Sequence, residues 1–185
     1  MRIITGSAKG CNLKTPKGMS TRPTSDRVKE SLFSILGSDA CGRVLDIFAG
    51  TGGLGLEALS RGADSCTFID KATTEIIADN AKHTRLADKC QILKGDVFAQ
   101  LRRLETLGQQ FDLVFCDPPY HQGLAHRALE QLENGQLLAP DAIVVMEYGG
   151  DEPELPATTG LQLVKKQQYG KTTQINFYHL PVEEG

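Results

Sequence analysis

Apolar residues fall into short blocks separated by amphipathic stretches, and the two patterns alternate from about residue 43 onward. The blocks VLDIF, CTFID, CQILKGD, FDLVFCD and AIVVMEY are short and rich in β-branched and aromatic residues, which predicts buried strands. Between them, LGLEALSRG, TTEIIADNAKHTRLA, FAQLRRLETL and LAHRALEQL carry apolar residues at helical spacing. Strand and helix in strict alternation predict right-handed βαβ crossovers, and hence an α/β chain with a doubly wound, mainly parallel, Rossmann-like sheet.

The pattern changes after Tyr148. GGDEPELPATTG is a loop by composition, and LQLVKKQQYG and KTTQINFYHL then alternate as strands around a turn at Tyr169-Gly170-Lys171. Two successive strands with no helix between them predict an antiparallel hairpin at the edge of the sheet. At the other end, RIIT and CNLKT flank GSAKG as a short hairpin or extended arm. RPTSDRVKESLFSIL then predicts a helix with Thr24 or Ser25 as cap, Asp26 in the first turn and Gly37 as the stop. The expected organisation is a single domain. Residues 1–37 form a basic arm and leading helix packed on a core of residues 38–185.

Composition narrows the function classes. At 40% hydrophobic and 23% charged residues, the chain has the make-up of a globular protein. No apolar run approaches the ~20 residues of a membrane span, and MRIITGSAKG has no apolar leader core, so a cytoplasmic protein is expected. The five cysteines are scattered with no C-x-x-C, which predicts free thiols and no metal site. The net charge of −3 is unevenly placed: residues 1–29 hold seven Lys/Arg and one acid, a local +6 that leaves −9 elsewhere. A basic arm on an acidic body suits contact with a polyanion, with Arg2, Lys9, Lys14, Lys17, Arg22 and Arg27 as candidates. Lys165, Lys166 and Lys171 on the terminal hairpin would extend that surface.

In open α/β sheets, ligands bind beyond the carboxyl ends of the strands. Acids recur there: Asp46, Asp70, Asp96 and Asp117 each stand at or just past a predicted strand end. After the first strand, Gly50, Gly52 and Gly55 have the spacing of a dinucleotide loop. Asp46, four residues before Gly50, would repel a pyrophosphate but suits a cofactor with an ammonium or sulfonium. Asp70, twenty residues after Gly50, is placed for ribose hydroxyls in either cofactor class. Asp96 can accept from an adenine amine, with the Val97 amide available to a ring nitrogen, or it can cap the following helix. Together these favour S-adenosylmethionine over a nicotinamide cofactor.

The stretch DPPY, from Asp117 to Tyr120, supplies the chemistry. Pro118 and Pro119 stiffen the loop and remove two backbone donors, leaving the Asp117 carboxylate and Pro118 carbonyl as acceptors. Tyr120 offers a flat face with a polar tip. Such a site suits a planar base with an exocyclic amine, oriented by two acceptors and held by stacking. The amine becomes acidic as it is alkylated, so positioning outweighs any need for a strong base. A rigid turn after a strand is the plain alternative, and the adjoining cofactor loop weighs against it.

TRPTSDRVKESLFSIL, LDIFAGTGGLGLEALSRGA, FDLVFCDPPY, GQLLAPDAIVVMEY and YGKT, in this order, resemble the RsmD family of 16S rRNA guanine-N2 methyltransferases across almost the whole chain. The resemblance implies a class I methyltransferase fold of seven strands, S-adenosylmethionine as methyl donor, and the N2 of one guanine in 16S rRNA as target. The substrate would be the small ribosomal subunit or an assembly intermediate; a monomer is the default expectation for the chain itself. It also implies that Asp46, Phe48, Ala49, Gly50, Thr51 and Gly52 line the methionine end, Asp70 holds ribose, Asp96 and Val97 hold adenine, and Asp117, Pro118, Pro119 and Tyr120 form the catalytic loop. Asp70 stands where relatives often carry Glu. Arg22 and Arg27 would meet phosphate or the cofactor carboxylate, or pack the leading helix against the sheet, and His121 adjoins the catalytic loop. Other readings are adenine-N6 methylation of DNA or RNA, which the same loop serves equally well, an NAD(P)-dependent oxidoreductase or redox sensor, and a non-catalytic RNA-binding module.

Overall fold

The computed structural model describes residues 1–17 and 26–183. The expected caps Thr24 and Ser25, and the candidate Arg22, lie outside the described residues. The first helix, α1 (Asp26–Leu36), ends at Gly37. Strand and helix then alternate: β1 (Arg43–Ile47), α2 (Gly53–Ser60), β2 (Ser65–Asp70), α3 (Thr74–His83), β3 (Cys90–Lys94), α4 (Val97–Thr106), β4 (Phe111–Cys116), α5 (Leu124–Asn134) and β5 (Leu138–Gly149). The hairpin β6 (Gln162–Tyr169) and β7 (Thr173–His179) follows directly.

The seven strands form one sheet in the order β3-β2-β1-β4-β5-β7-β6. The first five are parallel, and β7 enters antiparallel to both β5 and β6. The period of two along each strand divides the core. Val44, Phe68, Leu113, Phe115 and Val145 face one layer with Leu32 and Phe33 of α1, Leu56 and Leu59 of α2 and Ile77 of α3. Their strand neighbours Leu45, Ile47, Ile69, Val114 and Val144 face the opposite layer, with Leu101 and Leu104 of α4 and Leu129 and Leu132 of α5. Both faces of the parallel sheet are therefore covered, as its continuous apolar strands require.

Two elements depart from the sequence expectation. The third predicted helix stops at His83, where Arg85 takes a left-handed φ of 60°, and Ala87–Lys89 form a 3-10 turn. The fifth strand starts at Leu138 rather than Ala142: it bends through Pro140 and Asp141, whose φ is 65°, where the pairing register with β4 shifts. That irregularity is why Pro140-Asp141 reads as a break.

The basic arm is tied to the core. Ile3 accepts at its carbonyl from Gly10 and donates to Cys11, closing the expected hairpin, and Ile3 and Leu13 are buried. Glu57 of α2 receives the amides of Ile4 and Thr5 at 2.9 and 3.1 Å and pairs with Arg61 and Lys29. Lys29 and Glu57 are both fully buried. Burial pulls the Lys29 ammonium below its ordinary pKa, and Glu57 opposes that shift.

Candidate active site

The loop after β1 is built by hydrogen bonds between strand ends. Ala49 N–H donates to the Ile69 carbonyl, Gly50 N–H to Asp70 Oδ2 at 3.0 Å, and Gly52 N–H to the Ala49 carbonyl. Thr73 and Asn80 of the neighbouring segment donate to the carbonyls of Gly50 and Thr51. Gly52 has a φ of 82°, a conformation open to glycine at no steric cost. Phe48 is also left-handed, at a φ of 58°, and its ring meets Phe98 edge-on. A Cβ at Gly55 would stand 2.4 Å from the Phe68 ring and 2.6 Å from Cys66 Sγ, so only glycine lets α2 lie this close to β2.

Asp46 is buried to 1% exposure and accepts the Gly55 N–H at 3.0 Å. Burial drives its pKa up to about 8; the Gly55 bond opposes this, and the nearby Asp70 adds to it. The carboxyl therefore favours its neutral form at neutral pH. Asp70 is turned back onto its own loop, with Oδ1 receiving the amides of Ala72 and Thr73 while Oδ2 holds Gly50. Asp96 caps α4 by accepting the Ala99 N–H at 2.9 Å.

One cavity of about 1000 Å³ joins these groups to the Asp117–Tyr120 loop. Asp46, Phe48, Ala49, Gly50, Thr51, Asp70, Asp96 and Val97 line it, as do Asp117, Pro118, Pro119 and Tyr120. Gly52 stands just behind the wall, buried against Ile77 and Phe68. Of the basic-arm candidates, Arg2 pairs with Asp26 and Lys14 with Asp79, while Lys9, Lys17 and Arg27 are exposed and do not line the cavity. Lys166 of the hairpin pairs with Glu154.

Several residues of the site escaped the sequence reading. Glu147, near the end of β5, is buried in the cavity wall and accepts the Tyr120 hydroxyl at 2.8 Å; Thr173 of β7 lies 3.4 Å from the same oxygen. Burial, reinforced by the Glu147 charge, holds the Tyr120 pKa well above its ordinary value, so the phenol stays a donor. Glu152 fixes the far end of the loop, accepting the His121 amide at 2.9 Å with one oxygen and the Gly149 amide with the other. His121 sits at a φ of 64°, with its ring 3.5 Å from Asp151. Arg127 of α5 stacks on Phe98, 3.8 Å from the ring centre, at the cavity edge. Of these, the sequence places only His121 beside the loop, without its partners, and the apolar-to-acid change within VVMEY is the one other signal.

A parallel sheet with this strand order, an antiparallel terminal hairpin and a glycine loop after its first strand is the class I methyltransferase fold. The chain belongs to the family described as Conserved hypothetical protein 95, whose model matches residues 1–179. It is 38% identical over 189 residues to ribosomal RNA small subunit methyltransferase D of Haemophilus influenzae, covering 97% of this chain and 92% of that one. Among solved structures, a hypothetical protein from Thermus thermophilus superposes with a TM-score of 0.81 at 28% identity, over 98% of this chain and 99% of that one. An RNA methyltransferase from Salinibacter ruber, solved with S-adenosyl-L-homocysteine, shares the fold at a TM-score of 0.61 and 17% identity, over 88% of this chain and 96% of that one. Among the described residues no helix is long and apolar enough to cross a membrane, and no cluster of His, Cys, Asp or Glu is fit to hold a metal.

Proposed function

We propose that this chain methylates the exocyclic N2 of a guanine in small-subunit ribosomal RNA, with S-adenosylmethionine as donor. The observation that carries the reading is the single cavity shared by the glycine loop and the Asp117–Tyr120 loop, in a chain whose relatives include a small-subunit rRNA methyltransferase. In this reading residues 1–37 and 38–185 act as one domain, working as a monomer in the cytoplasm on the subunit or its assembly intermediate.

The residues fit the cofactor. The buried Asp46 carboxyl, costly as a lone charge, is a partner for the ammonium of a methionine end. Asp70 keeps acceptor capacity for ribose hydroxyls, since a carboxylate has about four lone-pair sites and three backbone amides engage it. Asp96 and Val97 would hold the adenine by its amine and a ring nitrogen, in the part of the cavity that Phe48, Phe98 and Arg127 also line. When bound, S-adenosylmethionine supplies an electrophilic methyl carbon on a cationic sulfur.

The chain's own residues then prepare the base. Asp117 and the Pro118 carbonyl accept the two amine hydrogens, which aims the nitrogen lone pair toward the glycine loop. The Tyr120 ring stacks on the base and is locked in orientation by its hydroxyl bond to Glu147. As the nitrogen becomes cationic it loses a proton to Asp117 or solvent. The base must leave its stack to enter, which favours an unpaired target. Methylated nucleosides from subunits of a strain lacking the enzyme are the test. N2-methylguanosine is expected after incubation with enzyme and donor, and N6-methyladenosine would overturn the reading.

A further inference from the structure

Cys116 of β4 pairs with Met146 of β5 in parallel register, so the next residues, Asp117 and Glu147, stand side by side at adjacent strand ends. Both line the same cavity, and Glu147 is bonded to the very tyrosine on which the base is proposed to stack. A carboxylate offers about four acceptor sites, so one tyrosine hydroxyl does not exhaust it. The edge of guanine that carries N2 presents a second donor, N1–H, beside the amine. Adenine presents an acceptor, N1, beside its own amine.

We infer that Glu147 is the residue that distinguishes guanine from adenine in this site, by accepting the guanine N1–H while Asp117 and Pro118 take the amine. The inference rests on the function proposed above and adds how its substrate is selected. Adenine placed with its amine at Asp117 turns a lone pair toward the Glu147 carboxylate, leaving a buried acceptor facing an acceptor. Such a mismatch is heavily penalised, because the buried polar groups lose water without gaining a partner. The same carboxylate also orients Tyr120, so base stacking and base identity are set by one group on β5.

The test uses small subunits that lack the modification, carrying either guanosine or 2-aminopurine riboside at the mapped target position. 2-Aminopurine keeps the N2 amine but has an unprotonated N1. The wild-type enzyme is expected to methylate the analogue with a kcat/KM at least ~100-fold below guanine, in line with sites built to bond a substrate N–H. Glu147→Gln presents a near-isosteric amide that can donate to N1. It should slow guanine and spare the analogue, narrowing the ratio to less than about tenfold on the same discrimination scale. Tyr120→Phe removes only the hydroxyl contact and should lower both substrates together, and Glu147→Asp, which keeps a carboxylate, should preserve the order. A wild-type ratio near one overturns the inference whether or not the variants fold. A Glu147→Gln enzyme that slows both substrates equally also overturns it, leaving Glu147 as a support for Tyr120. Absence of N2-methylguanosine from the wild-type reaction would overturn the proposed function itself, and this inference with it.

Discussion

In the proposed pairing of Asp46 with the cofactor ammonium, binding should release a proton. The Asp46 carboxyl, raised by burial to a pKa of about 8, is protonated on roughly nine molecules in ten at pH 7. The amino group of free S-adenosylhomocysteine adjoins its own carboxylate rather than a peptide bond, so it titrates above the ~7.7–8.0 of a peptide α-amino group and is almost wholly protonated there. Paired as carboxylate and ammonium, the two share one proton, so binding at pH 7 should release about 0.9 proton. Below pH 7 the release approaches one, and it declines as the pH rises through about 8, where Asp46 ionises unaided. Affinity should therefore fall roughly tenfold from pH 7 to pH 6 on the same linkage. S-adenosylhomocysteine lacks the sulfonium charge, so it isolates this pair. Calorimetry in buffers of different ionisation enthalpy reads the proton count directly. Asp46→Asn should bind more weakly, lose the acid-side release and retain only the ligand's own titration. No proton release by the wild-type protein at pH 7, or the same release in the Asn variant, would refute the pairing.

The same shift acts on stability. The folded protein keeps a proton on Asp46 that the unfolded chain loses above about pH 4, so this group's contribution declines as pH rises from about 4 to about 8. At about 1.4 kcal/mol per unit the ceiling is about 6 kcal/mol. Asp46→Asn, whose side-chain oxygen can still accept the Gly55 amide, should match the wild type at about pH 4 and exceed it at pH 9 in a thermal melt.

Three further outcomes follow from the geometry. Asp117→Ala should lower kcat by about 10²–10³-fold, as removal of a positioned polar group does, while S-adenosylhomocysteine affinity by calorimetry stays unchanged. Lys29→Met strips a buried ion pair from Glu57, which still holds Arg61 and two arm amides; a loss of about 3 kcal/mol in urea unfolding is expected, and a loss under about 0.5 kcal/mol would show the pair to be dispensable. Gly55→Ala drives a methyl into Phe68 and Cys66 and should cost about 1–3 kcal/mol by the same measurement.

The sheet was legible because its information is local. Each strand's apolar run and each helix's periodicity can be read within a dozen residues, and the Asp46, Asp96 and Asp117 positions follow from where the strands end. What escaped depended on register and on partners distant in sequence. Lys29 looks like one more solvated cation on α1, yet it is fully buried because Glu57 of α2 meets it. Glu147 reads as the tail of an apolar strand until the β4–β5 pairing sets it beside Asp117. His121 seems isolated in the chain, and its partners Asp151 and Glu152 come from a loop with no periodic signature. Asp70 lines the cavity as a residue expected at the ligand, but that it also ties down the glycine loop through the Gly50 amide depends on a partner twenty residues away and was not legible.

Inserting β7 between β5 and β6 carries Thr173 to within 3.4 Å of the Tyr120 hydroxyl. A late segment of the polypeptide therefore braces an aromatic plate that its middle supplies. A ribosome must translate on through β7 before that plate is fully supported, so a nascent chain, or one clipped ahead of the hairpin, could display the glycine loop and still be unable to steady a nucleobase.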